Sequence, residues 1–89
     1  MRLKFKNLGF IQHPTVKGAI MSHVYTDKGT RISIVCGEGM YSSSKAGNRA
    51  KCLDVEDAAS FEVMVGNNDP LGWQSREDIN EIFKSLENE

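Results

Sequence analysis

The sequence predicts an α+β domain, a small antiparallel β-sheet of about four to five strands with one C-terminal helix packed on it. Three observations lead to this class. Short segments with strand-like alternation recur through the first 65 residues, turn residues separate them, and one amphipathic stretch of helical period closes the chain. Because 89 residues with 39% hydrophobic content suffice for a single core, residues 1–89 are expected to form one domain.

The N-terminal residues 2–6 alternate cations with Leu3 and Phe5, which predicts a first strand with one buried face. Pro14 disfavours helical backbone at the residue before it, so a bend is expected over residues 13–18.

A β-hairpin follows. Residues 19–25 (AIMSHVY) are rich in β-forming residues, and Asp27-Lys28-Gly29 offers a short turn with a glycine for positive φ. The second strand is TRISIVC over residues 30–36. On it, Ile32, Ile34 and Cys36 share one face, and Arg31 and Ser33 share the other.

The second half of the chain is less regular. Residues 52–55 are predicted as a short return strand, and residues 56–59 as a connection or a single helical turn. Residues 60–65 (SFEVMV) alternate clearly and predict a strand. Residues 66–70 (GNNDP) consist of residue types that are typical of turns.

The last segment predicts a helix with a defined start. Ser75 is a suitable N-cap, and Asp78 occupies the third helical position of a capping box, although that pattern prefers Glu or Gln there. The following apolar residues recur at i, i+3, i+4 and i+7 and form one stripe: Ile79, Ile82, Phe83 and Leu86.

Residues 37–51, GEGMYSSSKAGNRAK, form a polar, basic segment rich in glycine and serine. Its amides, hydroxyls and cations are groups that bind anions. The segment lacks the G-x-x-x-x-G-K-[ST] pattern of a Walker A loop and the third glycine of a dinucleotide fingerprint. Three interpretations stay open: a solvated connection between strands, a loop that orders against a protein partner, and a phosphate or nucleotide site.

Charge is distributed unevenly along the chain. Residues 1–51 carry nine basic and two acidic side chains, a net +7, whereas residues 52–89 carry two basic and ten acidic ones, a net −8. This asymmetry predicts a dipolar surface that steers a charged partner. Alternatively, the two halves neutralise each other within the fold or between the copies of a homodimer.

The residue types that support catalysis are sparse. Cys36 and Cys52 belong to no C-x-x-C pair and are predicted to be buried thiols in a reducing cytosol, with a disulfide across the loop as the alternative in an oxidising compartment. His13 and His23 fall in no familiar nucleophile motif, and their spacing from the cysteines is unlike that of structural zinc sites. The protein is therefore expected not to be an enzyme, with no catalytic residue, metal or cofactor.

Neither nucleic acid nor a membrane is a predicted partner. The TRISIVC strand lacks the aromatic pair of an RNA-recognition sheet, and the acidic half repels phosphates. No segment approaches the roughly 18 apolar residues of a membrane span. The N-terminus lacks the apolar core of a secretory signal, so a cytoplasmic location is expected.

Trp73, the single tryptophan, lies just before the helix. It is predicted to pack the start of the helix against the sheet, with Leu71 beside it. A partly exposed Trp73 is instead an interface anchor.

Four segments together resemble small bacteriophage-encoded accessory proteins: TRISIV (30–35), GEGMYSS (37–43), SFEVMV (60–65) and GWQSREDIN (72–80). Those proteins show the same order of strand, Gly/Ser loop with an aromatic residue, strand, and G-aromatic-x-[ST]-x-E-D helix start. The resemblance is one of pattern and covers residues 30–86. This chain departs from it within the loop, where it adds SKAGNRAK (44–51) before the next strand. It implies a compact α+β protein that binds a host enzyme or a defence component and blocks it, without catalytic residues.

The combined expectation is a non-enzymatic protein that inhibits or redirects a host protein through surface contacts. The alternative is a protein that binds or sequesters a phosphorylated small molecule or nucleotide at the same segment. The residues predicted to bind the partner or anion are Tyr41, Ser42, Ser43, Ser44, Lys45, Arg49, Lys51 and Trp73.

Overall fold

The alternating segments of the sequence form one antiparallel sheet in the computed structural model, which describes residues 3–87. Within those residues there are seven strands, one α-helix and two 3-10 turns. The strands are β1 (Ile11–Gln12), β2 (Ala19–Tyr25), β3 (Arg31–Gly37), β4 (Ser43–Ser44), β5 (Gly47–Asn48), β6 (Ala58–Val65) and β7 (Leu71–Gln74), the helix is α1 (Arg76–Glu87), and the 3-10 turns are Phe5–Asn7 and Val55–Asp57.

The predicted class is confirmed, since a small antiparallel sheet is followed by one C-terminal helix. The predicted count of about four to five strands was too low. β1, β4 and β5 contain two residues each and β7 contains four, which is too short for an alternating pattern to identify them.

The sheet is built around β6. Its strand order is β1-β2-β3-β6-β4-β5, and β7 also pairs with β6. β2 and β3 form the predicted hairpin, in register from Ala19↔Gly37 to Tyr25↔Arg31. The face of β3 that carries Ile32, Ile34 and Cys36 is buried and continues onto β6. The fully buried residues on these two strands are Ile32, Ile34, Cys36, Phe61 and Val63.

The helix begins with the predicted capping box. The Ser75 backbone N–H donates to Oδ2 of Asp78 at 2.9 Å, and the Asp78 N–H donates to Oγ of Ser75 at 3.0 Å. Ile79 and Phe83 are fully buried against the sheet, while Ile82 and Leu86 are half-buried beside them. None of the helices within residues 3–87 has the length and apolar character needed to cross a membrane.

The strand predicted over residues 2–6 was wrong in its described part, and Arg2 lies outside the described residues. Phe5–Asn7 forms a 3-10 turn instead. The Phe5 backbone N–H donates to Oδ1 of Asn80 on the helix at 2.8 Å, so it has no need of a strand partner. Phe5 still reaches the core, because its ring lies 5.1 Å from that of Phe61.

The return strand predicted over residues 52–55 was also wrong. The Cys52 N–H donates to the carbonyl of Gly18, and the Asp54 carboxylate then accepts hydrogen bonds from the backbone amides of Glu56 and Asp57. This cap starts the 3-10 turn Val55–Asp57, so the helical turn expected at residues 56–59 is present one residue earlier. Ala58 already belongs to β6.

Candidate functional site

The polar segment 37–51 is folded as a small hairpin. β4 and β5 pair at Ser43↔Asn48 and Ser44↔Gly47, and β4 continues the sheet by pairing with β6. The segment therefore has backbone hydrogen-bond partners along both of its strands, and it extends the sheet beyond β6.

The three consecutive serines hold this hairpin in place. Ser42 is fully buried, and its hydroxyl accepts a hydrogen bond from the Gly37 N–H at 3.1 Å. Ser43 Oγ lies 2.7 Å from Oγ of Ser60, and Ser44 donates its hydroxyl to a backbone carbonyl at 2.8 Å. All three predicted anion-binding hydroxyls thus make hydrogen bonds within the fold.

Three of the predicted site residues come together on the surface. The guanidinium carbon of Arg49 lies 5.1 Å from the centroid of the Tyr41 ring, and the Tyr41 and Trp73 rings are 5.6 Å apart. Both rings are about half exposed, Tyr41 at 44% and Trp73 at 49%. We call Tyr41, Arg49 and Trp73 the aromatic patch.

Hydrogen bonds hold the side chains of Trp73 and Arg49 and the backbone of Tyr41 in this patch. The indole Nε1 of Trp73 donates to Oδ1 of Asn48 at 2.7 Å, and Arg49 Nη2 donates to the carbonyl of Gly39 at 2.8 Å. The Tyr41 backbone N–H donates to the Glu62 carboxylate at 3.1 Å. Asn48 and Glu62 were not predicted as site residues, and nothing in the sequence links either of them to Trp73 or Tyr41.

The backbone beneath the patch is close-packed and strained. The Trp73 N–H donates to the Tyr41 carbonyl at 2.8 Å, and a Cβ at Gly72 would lie 2.9 Å from Cβ of Tyr41, so glycine permits this approach. Trp73 and Arg49 adopt left-handed backbone with φ of 52° and 56°. This conformation costs about 1–2 kcal/mol for a residue with a Cβ, and such residues occur often at functional sites.

The exposure of Trp73 bears on its two interpretations. Its ring lies against that of Tyr41 at a tilt of 36° and is half exposed, which fits the interface anchor. The start of the helix is held by the hydrogen bonds between Ser75 and Asp78.

The two predicted lysines lie at another part of the hairpin. Lys45 Nζ lies 3.8 Å from Oδ1 of Asp57, an exposed ion pair. Lys45 and Lys51 line a shallow cavity of about 300 Å³ that contains none of the aromatic patch. The structure therefore divides the predicted site residues between two places.

Both cysteines are free, buried thiols, as predicted. They stand immediately before and after the 37–51 segment and belong to one core cluster, so both ends of the hairpin are anchored in the core. Burial, together with the neighbouring Cys36 thiol, raises the pKa of Cys52 to about 12. Such a thiol is almost entirely protonated at neutral pH and is a poor nucleophile.

The histidines make local contacts. His13 Nδ1 accepts a hydrogen bond from the Val16 N–H at 3.2 Å in the bend after β1. His23 Nε2 lies 2.9 Å from an Arg31 guanidinium nitrogen, and partial burial, followed by the charges of Arg31 and His13, lowers the pKa of His23. Across residues 3–87, no cluster of three or more His, Cys, Asp or Glu side chains is arranged to bind a metal ion.

Comparison with known proteins identifies no relative of this chain. No protein-family model, curated protein or solved structure matches the chain. The resemblance to phage accessory proteins therefore stays a prediction.

Proposed function

We propose that this protein is a non-enzymatic binding protein and that the aromatic patch is its contact surface for a partner protein. The observation that carries the proposal is the contact of Arg49, Tyr41 and Trp73 with one another on the surface, with both rings about half exposed. Trp, Tyr and Arg are the residue types that contribute most binding energy at protein interfaces.

Fixed side chains strengthen the proposal. The Trp73 indole is held by Asn48, and the Arg49 guanidinium is held between the Tyr41 ring and the Gly39 carbonyl. Ordering a free side chain on binding costs about 0.5–1.5 kcal/mol, and much of that cost is absent where the side chain is already ordered. A patch of this kind supports tight association through a small area.

Charge favours an acidic partner. Arg49 lies in the patch, and Lys45 and Lys51 are exposed on the same hairpin, within the half of the chain that carries a net +7. Complementary charge accelerates encounter and orients the two proteins before the apolar contacts form. The resemblance to phage accessory proteins favours a host enzyme or defence component as the partner, inhibited or redirected in the cytoplasm of the host cell.

The alternative, a protein that sequesters a phosphorylated small molecule or nucleotide, has one observation in its favour. Lys45 and Lys51 line the same cavity of about 300 Å³. Against it, the hydroxyls of Ser42, Ser43 and Ser44 are engaged inside the fold, and Lys45 pairs with Asp57. The protein-binding function is therefore the better supported of the two.

The decisive experiment measures affinity for a partner purified from bacterial host lysate with the tagged protein. We expect Trp73→Ala to weaken binding at least thirtyfold, because loss of an interface anchor costs about 2 kcal/mol or more. Tyr25→Ala is the matched control, since Tyr25 is 61% exposed on β2 and lies outside the patch. Equal affinity of wild type and Trp73→Ala, or an equal loss in Tyr25→Ala, contradicts the proposal.

Two further measurements test the role of the hairpin cations in association and the alternative of nucleotide binding. The triple variant Lys45→Gln/Arg49→Gln/Lys51→Gln should associate more slowly at low salt, and an unchanged association rate rejects the role of these cations. A thermal-shift screen against nucleotides at millimolar concentration tests the alternative, because a ligand stabilises the fold by RT ln(1 + [L]/Kd). A melting temperature that rises with one nucleotide, and does not rise in the triple variant, supports the alternative function.

A further inference from the structure

A second concave surface lies between α1 and the turn that joins β6 to β7. It has a volume of about 510 Å³, within the range of ligand and peptide sites. Its lining combines apolar side chains, including Leu71, Ile82 and Leu86, with carboxylates, including Asp69, Asp78 and Glu81. We refer to the apolar set as the floor and to the acidic set as the rim. We call this surface the acidic groove.

The charged side chains that line the acidic groove are all negative. No lysine or arginine is among the residues that line it. Within residues 3–87, Asp69 and Glu81 make no ion pair, and the Asp78 carboxylate accepts only the amide hydrogen bond of the helix cap. The surrounding half of the chain has a net charge of −8, so the local field attracts a cationic group.

The floor of the groove is open to an apolar group. Leu71 is 45% exposed, and the half-buried Ile82 and Leu86 line the same groove. An aliphatic side chain placed there removes apolar surface from water at about 25 cal/mol per Å². An occupant that matches both features carries positive charge and a large apolar group.

The length of the groove favours a peptide. Its helical wall runs from Asp78 to Leu86, which at about 1.5 Å per residue spans roughly 12 Å. An extended peptide rises about 3.3 Å per residue, so roughly four residues lie along that wall. Side chains alternate along such a peptide, which lets apolar residues face the floor while basic residues reach the rim.

We propose that the acidic groove binds a short extended segment of a partner protein in which lysine or arginine alternates with large aliphatic residues. The segment lies along α1, inserts its aliphatic side chains beside Leu71 and Ile82, and places its cations against Asp69 and Glu81. The groove shares no residue with the aromatic patch, so its test and the test of Trp73 succeed or fail independently.

The test is a titration of the full-length protein with an acetylated and amidated Lys-Leu-Lys-Leu-Lys-Leu peptide, followed by amide chemical shifts. We expect saturable binding in the micromolar range, shifts that centre on Leu71 and Ile82, and weakening as salt rises. Asp69→Asn/Glu81→Gln should weaken binding about fivefold. The matched control is Glu56→Gln/Glu77→Gln, which removes two exposed carboxylates outside the groove and should leave affinity unchanged.

Other probes identify which part of the occupant matters. A Glu-Leu-Glu-Leu-Glu-Leu peptide should not bind, and spermine, a cation without large apolar groups, should bind at least tenfold more weakly than the Lys-Leu peptide. The proposal is overturned if the two double variants lose affinity equally, if the acidic peptide binds as well, if spermine binds as tightly, or if no peptide saturates the groove.

Discussion

The indole Nε1 of Trp73 donates a hydrogen bond to Oδ1 of Asn48 at 2.7 Å, which connects β7 to β5 across 25 residues of sequence. Together with the backbone hydrogen bond from Trp73 to Tyr41, this contact holds the 37–51 hairpin against the strand that precedes the helix. The orientation of Trp73 therefore depends on a hairpin that is distant in sequence.

Replacing Asn48 with alanine should release the indole without unfolding the protein. Trp73 is the single tryptophan, so its fluorescence reports this site alone. We expect acrylamide to quench Asn48→Ala more strongly than wild type, a lower fluorescence anisotropy, and a change of only a few degrees in melting temperature, because Asn48 is exposed. The control is Asn67→Ala, at an exposed asparagine in the turn after β6, and its tryptophan fluorescence should be quenched as in wild type. Unchanged quenching in Asn48→Ala would contradict the structural role of this bond.

The left-handed backbone at Arg49 predicts an unusual order of stabilities. Arg49→Ala and Arg49→Gly both remove the guanidinium, but only glycine adopts a φ of 56° without steric cost. Relief of about 1–2 kcal/mol of strain exceeds the extra entropy that glycine gives the unfolded chain. Urea denaturation should therefore show Arg49→Gly more stable than Arg49→Ala by about 0.5–1 kcal/mol. The opposite order would show that the strain is absent in solution.

Gly37 should tolerate no side chain. A Cβ added there would lie 2.3 Å from Cβ of Ala19, its register partner on β2, and 2.4 Å from the Ala19 Cα. The two strands must move apart at the base of the hairpin, so Gly37→Ala should lower the free energy of unfolding by about 2 kcal/mol or more. Gly9→Ala is the control, because no atom lies within 4 Å of the added Cβ. Equal stability of these two variants would rule out the close contact between β2 and β3.

Local patterns account for the parts of the fold that the sequence predicts. The β2–β3 hairpin follows from a two-residue period and a glycine turn, and the start of α1 follows from Ser75 and Asp78, which lie three residues apart. These signals depend on neighbours along the chain. The alternating pattern around Phe5 does not form a strand. Phe5 reaches the core from a 3-10 turn instead, so the strand prediction failed there.

The site was predictable only as separate residues. Tyr41, Arg49 and Trp73 were each selected for their chemistry, but their contact depends on β4, β5 and β7, strands too short to show a period. Gly72 permits the approach of β7 to Tyr41, and no local pattern distinguishes it from a turn glycine. The assembly of the aromatic patch is therefore a product of tertiary pairing.

The thiol of Cys52 should resist alkylation in the folded protein. Its pKa is raised to about 12, so at pH 8 only about one molecule in ten thousand carries the reactive thiolate, and the side chain is buried as well. Iodoacetamide with peptide mapping should detect no Cys52 adduct within an hour in buffer and rapid modification in 6 M guanidinium. Modification within minutes while the circular dichroism stays native would contradict the burial of this residue.

His23 should make the protein less stable in mild acid. Partial burial and the nearby charges of Arg31 and His13 lower its pKa in the folded state below the ordinary value of 6.5. Above pH 6.5 the ring is mostly neutral in both states and has little effect. As the pH falls from 6.5 through the lowered pKa, the unfolded chain binds more protons than the folded one, so stability decreases. The effect is small because His23 is exposed, and a wild-type comparison with His23→Gln should reveal it only in that acidic range.

Proton NMR of the His23 ring gives the direct measurement. The titration midpoint should lie below 6.5 in the wild type, and Arg31→Gln should raise it part of the way back, since partial burial is the larger cause and remains. Lys28→Gln, which removes a charge from the hairpin turn, should move the midpoint less, because Lys28 is not among the causes of the shift. A midpoint at or above 6.5, or one that Arg31→Gln leaves in place, would show that the guanidinium 2.9 Å from Nε2 does not act on this ring in solution.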